Sequence, residues 1–107
     1  MALESGTDGL LRLVAPDETL HATARASDHH VLVTDRRLAV AENDRVALDI
    51  PLANVRRIQF DIEKTRPATL VIVPESPLDP PQVLTVPPNH YDEIARALVA
   101  IGLLISD

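Results

Sequence analysis

The chain has 107 residues, the size of a single domain that can bury a core without covalent staples. It is 46% hydrophobic and 24% charged with a formal net charge of −6, which is a folded rather than a disordered composition and one that repels nucleic acid and anionic headgroups. There is no cysteine or tryptophan, and only one Phe and one Tyr; disulfides, cysteine-ligated zinc and thiol chemistry are excluded, and no ring platform is available for stacking on bases.

Taken in order, residues 1–16 predict a short helical N-terminal segment. Its apolar residues are Leu10, Leu11, Leu13 and Val14, with Asp8 as a cap and Pro16 as a stop. Met1 to Asp8 has no basic region followed by an apolar run, and no stretch reaches the ~20 apolar residues of a membrane span. A cytoplasmic protein is expected.

Residues 17–107 form the main unit. From Glu18 to Ala26, Leu20, Ala22, Ala24 and Ala26 alternate with polar residues, predicting a half-buried strand. Its small inner residues admit something bulky close by. Ser27-Asp28-His29 is a turn. In Val31-Leu-Val33 both parities are apolar, so that strand is expected either to be covered on both faces or to cross a barrel corner. Thr34 to Arg37 make a tight corner into Leu38 and Val40, and Glu42-Asn-Asp44 makes a hairpin turn. Val46, Leu48 and Ile50 alternate up to Pro51, where the ladder stops. Ile58, Phe60 and Ile62 define the inner face of the next strand, with Asp61 and Glu63 outward. Thr69 to Val73 and Val83 to Val86 are the last strands, separated by the proline-rich loop Pro74 to Pro81.

Asn89 is a good N-cap for a closing helix with Asp92 and Glu93 in its first turn. Tyr91, Ile94, Ala95, Leu98, Ile101, Gly102 and Ile105 fall on one face and predict the core stripe. Val99, Leu103 and Leu104 lie off it. Short strands joined by tight turns predict an antiparallel meander closed by one helix.

Three segments in this order resemble the bacterial pleckstrin-homology-like (PH/GRAM-like) domains. They are Leu32-Val-Thr-Asp-Arg-Arg-Leu38, Ile50-Pro-Leu-Ala-Asn-Val55 and Asn89-His-Tyr-Asp-Glu-Ile-Ala-Arg-Ala-Leu98. The resemblance runs from about Asp17 onward. It implies a mainly β fold, a partly open antiparallel barrel of about seven strands capped by a C-terminal helix. It also implies a binding or scaffolding module with no catalysis and no cofactor, and it supplies no ligand. One departure stands out. Phosphoinositide-binding members carry basic residues around the loop joining the first two strands, whereas here that loop reads Ala26-Ser-Asp-His-His30. Membrane binding is not expected.

Other constellations have bland readings beside functional ones. His29 and His30 are neighbours on a strand and point to opposite faces, so they do not readily share a metal ion, and the sequence does not bring His21 or His90 to them. Arg36-Arg37 and Arg56-Arg57 form a basic patch for an acidic partner or pair with Asp35, Asp49 and Asp61. Asp61 and Glu63 lack a nucleophile or base pattern, so no catalytic residue is assigned. Thr34 or Asp35 is expected to bond the corner's own backbone. The apolar surplus Val99, Leu103 and Leu104 marks an interaction face unless the Leu10/Leu11/Leu13 segment covers it.

The expectation is therefore a non-catalytic module for protein interaction or self-assembly, with Val99, Leu103, Leu104, Arg36 and Arg56 as partner-binding residues and no metal. The alternatives are a peripheral lipid-binding module or a small acidic inhibitor of a basic partner.

Overall fold

The structure is a computed structural model describing residues 6–43, 45–63 and 66–105. Helix α1 (Gly6–Leu11) precedes seven strands: β1 (Leu20–Arg25), β2 (His29–Thr34), β3 (Arg37–Glu42), β4 (Arg45–Pro51), β5 (Val55–Asp61), β6 (Ala68–Pro74) and β7 (Gln82–Val86). Helix α2 (Tyr91–Ile105) follows. The strands make two antiparallel meanders, a four-stranded sheet β1-β2-β3-β4 and a three-stranded sheet β5-β6-β7.

Local chemistry sets the junctions. Asn43 adopts φ 56° in the β3–β4 turn, a left-handed conformation that Asn tolerates because its short polar side chain bonds locally. Pro51 ends β4, and a 3₁₀ turn, Leu52–Asn54, carries the chain into the second sheet. Leu52 is buried there, and its N–H donates to the Arg36 carbonyl at 2.9 Å. At another corner the Ser27 N–H donates to the Thr85 carbonyl at 2.8 Å, joining the end of β1 to β7.

The main core lies between the inner sheet faces and α2. It includes Val31, Val33, Leu38, Val40, Leu70, Ile72, Leu84, Ile94 and Ile101. Helix α2 packs chiefly on β1, where Ala24 and Ala26 are buried; the small side chains expected on that strand are what let a helix approach. Phe60 and Tyr91 meet edge to face with centroids 5.8 Å apart, a favoured aromatic geometry.

A second, smaller core explains the doubly apolar β2. Leu10, Leu32, Ala39 and Ala41 are buried together, with Leu13 and Val14 against them. Helix α1 thus covers the face of β2 and β3 opposite α2. The N-terminal leucines were one candidate cover for α2; Leu10 and Leu13 serve the sheet instead, because Leu32 and Ala39 need a lid, and Leu11 is exposed.

Other local expectations are corrected. Asp8 falls inside α1 rather than before it. Asn89 lies within a 3₁₀ turn, Pro88–His90, whose cap is Pro87 without a side-chain bond. Ile62 follows the end of β5 and is 59% exposed. In α2 the buried residues are Ile94, Ala97 and Ile101, with Leu98, Ala100 and Leu104 packed beside them, while Ala95, Gly102 and Ile105 face outward. The end of this helix is apolar nearly all round, so periodicity alone did not orient it; packing on β1 selected the 3-4-3 stripe through residues 94, 97, 101 and 104.

Candidate interaction site

The two arginine pairs occupy different surroundings. The Thr34–Arg37 corner is sealed from within. Thr34 is buried and its hydroxyl accepts from the N–H groups of Arg36 (3.1 Å) and Arg37 (3.0 Å) while donating to Glu18. The Glu18 side chain is wholly buried and also accepts from the Ala15 N–H (2.9 Å) and Arg37 Nε (2.8 Å). Burial would raise this carboxyl, but the bonds from Thr34, Ala15 and Arg37 outweigh it and hold its pKa below the ordinary carboxylate value. Arg37 reaches Asp49 as well, at 3.0 Å. Arg36 forms a two-pronged pair with Asp17 at 3.2 and 2.9 Å, and that pairing lowers the Asp17 pKa. Asp35 accepts from the Thr19 N–H at 2.9 Å and donates its own N–H to the Thr19 carbonyl at 3.0 Å. The corner thus fastens residues 15–19, the strap that brings α1 over the sheet. Arg36, expected to bind a partner, has its guanidinium occupied by Asp17.

Arg56 and Arg57 lie in the open. Both are exposed on β5, and their side chains make no hydrogen bond or ion pair among the described residues. Across the ladder, Arg57, Gln59 and Asp61 face Val73, Val71 and Thr69 of β6, none of which carries charge. Arg57 and Asp61 do not neutralise each other, because four residues along a strand span ~13 Å. Asp61 instead accepts from Gln59 Nε2 at 2.9 Å.

Strand β5 is also an edge. It pairs with β6 alone, and the one other backbone bond it makes among the described residues is Val55 N–H to the Leu52 carbonyl. Beside this edge runs a groove of about 310 Å³ between Val55–Ile58 and the Leu98, Ile101, Gly102 and Ile105 side of α2. Two adjoining hollows, of about 330 and 340 Å³, share Arg56, and the second extends to the loop between β6 and β7. An apolar floor, a strand edge and two guanidinium groups, the last two without partners among the described residues, therefore meet in one place.

No family model matches the chain, and no curated protein sequence matches it. Its structure is similar to the crystal structure of a pleckstrin homology domain from Shewanella amazonensis, with a TM-score of 0.67, covering 89% of this chain and 90% of that one at 16% sequence identity. The fold is pleckstrin-homology-like. At that identity the likeness is one of architecture.

In this PH-like frame the β1–β2 loop carries Asp28 and is rooted by Arg25, which is already engaged. The Arg25 side chain donates to Glu93 at 3.1 and 2.6 Å, and its N–H donates to the same carboxylate at 3.1 Å. This bonding, chiefly the side-chain contact from Arg25, lowers the Glu93 pKa. His90 Nδ1 lies 3.4 Å from Glu93. Burial first, then the nearby Arg25, pushes the His30 pKa down; Glu93 opposes this, and His29 and His90 add to it. So His90 does come into the field of His30, which the sequence did not show. Among the described residues no three His, Asp or Glu side chains are grouped to hold a metal.

The three apolar candidates on α2 separate. Val99 and Leu103 are exposed, at 62% and 73%, whereas Leu104 packs against the main core and is not part of an outer face. Arg56 is the sequence candidate that lines the groove. Arg57, named from the sequence only as half of a basic patch, and Ile58, Ile101 and Ile105, read from the sequence as inward-facing, also line it. The signal for them was their place on an edge strand and its neighbouring helix, a relation of topology rather than of motif. No helix among the described residues is long and apolar enough to cross a membrane.

Proposed function

We propose that this PH-like chain is a non-catalytic protein-interaction module that docks an extended segment of alternating acidic and apolar residues along β5, in the groove beside α2. The observation that carries this reading is the groove itself, where a strand edge and two arginines, both without partners among the described residues, flank an apolar floor. Backbone bonds to such an edge supply affinity, and alternate side chains supply selectivity. Apolar residues of the segment would meet Ile58, Leu98 and Ile101, and its carboxylates would meet Arg56 and Arg57 through charge-assisted, two-pronged bonds. On a chain of net charge −6, these two cations are a local feature that steers an acidic strand to one place. The absence of cysteine suits a cytoplasmic setting.

The test is a titration of the isotope-labelled chain with a synthetic peptide alternating Glu and Ile. Amide shifts should move along β5 and the C-terminal half of α2. Added salt should weaken the binding, and Arg56→Glu with Arg57→Glu should abolish it. Shifts centred on Val99 and Leu103 would move the site to the outer face of α2, and binding indifferent to the charge reversal would overturn the proposal.

A further inference from the structure

We infer that the segment docking on β5 comes from a second copy of the chain: two β5 strands pair antiparallel, edge to edge, about a twofold axis at Gln59. This rests on the groove being a docking site and names its occupant.

A twofold contact uses the same patch on both copies, so the edge must complement its own reverse. Strand β5 meets that condition. On its outer face Arg57 precedes Gln59 and Asp61 follows it. With the axis at Gln59, Arg57 stands opposite the partner's Asp61, Asp61 stands opposite the partner's Arg57, and the two Gln59 amides face each other. Directly opposed residues on antiparallel strands have Cβ atoms about 5 Å apart, and opposite charges there attract. These are the side chains to which β6 offers only Thr69, Val71 and Val73. Placing the axis at Arg57 or at Asp61 would oppose like charges, and placing it at Ile58 or Phe60 would set a charge opposite Gln59; the axis at Gln59 is the one that opposes Arg57 and Asp61 within the strand.

The other face agrees independently. A twofold perpendicular to the sheet keeps the core-facing sides of both strands on one side. Ile58 then meets the partner's Phe60. Ile62 continues that row beyond the strand and is 59% exposed. The register carries the partner's Ile62 past Ile58 toward the bulge at Arg56, beside the groove that Leu98, Ile101 and Ile105 line. The residue expected to face inward, yet left uncovered by its own chain, gains an apolar cover from its partner. The chain's own residues 60–63, Phe-Asp-Ile-Glu, alternate apolar and acidic as the groove requires. The pairing joins two three-stranded sheets into one of six.

Light scattering behind size exclusion on the full chain tests this, with circular dichroism to verify folding. The wild type is expected at twice 11.7 kDa. Arg57→Asp and Asp61→Arg each place like charges at both ends of the contact and should raise the dissociation constant at least ~10-fold. The double variant Arg57→Asp/Asp61→Arg restores opposite charges and should restore the dimer, as should an equimolar mixture of the two single variants. Ile62→Lys should also weaken association. A wild type that stays monomeric at ~1 mM chain, a dimer indifferent to the single reversals, or a double variant that fails to recover overturns the pairing. A monomeric wild type that still takes the Glu–Ile peptide along β5 overturns the self-pairing alone, and a charge-swappable dimer without peptide binding overturns only the acidic-segment reading.

Discussion

Arg36-Arg37 and Arg56-Arg57 are the same dipeptide in two structural settings. The first lies at a corner where Asp17, Glu18 and Asp49 converge. The second lies on an edge strand whose cross-strand neighbours are uncharged. One pair closes the fold, and the other remains available to something outside the chain. Residue type does not distinguish them. What distinguishes them is which strands the topology lays alongside, because an ion pair needs a carboxylate within about 4 Å and sequence neighbours on a strand point elsewhere.

Breaking the sealed corner should have the largest effect. Glu18→Ala leaves the mostly buried Arg37, the Thr34 hydroxyl and the Ala15 N–H short of a partner. It should cost about 3 kcal/mol in urea unfolding; an unmoved midpoint would contradict the sealed arrangement. Leu10→Ala should cost roughly 2–3 kcal/mol by uncovering Leu32 and Ala39, with faster amide exchange on the α1 side of β2 and β3. Arg36→Ala should have a smaller effect than Glu18→Ala, because its bridge to Asp17 lies in water. At the open edge, Arg56→Glu with Arg57→Glu should leave unfolding within about 0.5 kcal/mol of wild type while removing peptide binding. A large loss of stability there would mean that this pair is also structural.

The smallest expected effect is on the pH dependence of stability. The folded-state pKa of His30 is lowered from 6.5. The unfolded chain therefore takes up this proton first as pH falls, and folding loses stability below about 6.5, having its full contribution above that value. His30→Gln should flatten the stability profile between about pH 7 and 5.5. Glu18 and Glu93 are lowered from 4.5; their contribution is complete above 4.5 and is lost as pH falls through their folded values, so the second decline lies at more acid pH. A single decline near pH 4 in the wild type would remove His30 from the account.

The candidate site was less legible than the fold. Arg56 was readable as a free cation or as a partner of Asp61; both lie on the one strand β5, and the length of strand between them removes the second option. Leu104 looked like a surface residue because the last turns of α2 are apolar on every side. Ile62 continued the inward alternation of Ile58 and Phe60, yet the strand and the core end before it. In each case the pattern was locally correct, and the fold around it decided its meaning.

Alternation, turn residues and amphipathic spacing by themselves determined the seven strands, their antiparallel order and the closing helix, and left β2 either covered on both faces or crossing a barrel corner, because these depend on interactions within a few residues or on the parity of a strand. Tertiary structure alone decided that α1 covers β2 and β3, which stripe of α2 faces the core, that Thr34 and Glu18 seal one arginine pair, and that β5 is an edge beside an apolar groove. Those outcomes depend on which distant surfaces come within a side chain's reach of each other, and residue type and spacing do not encode that distance.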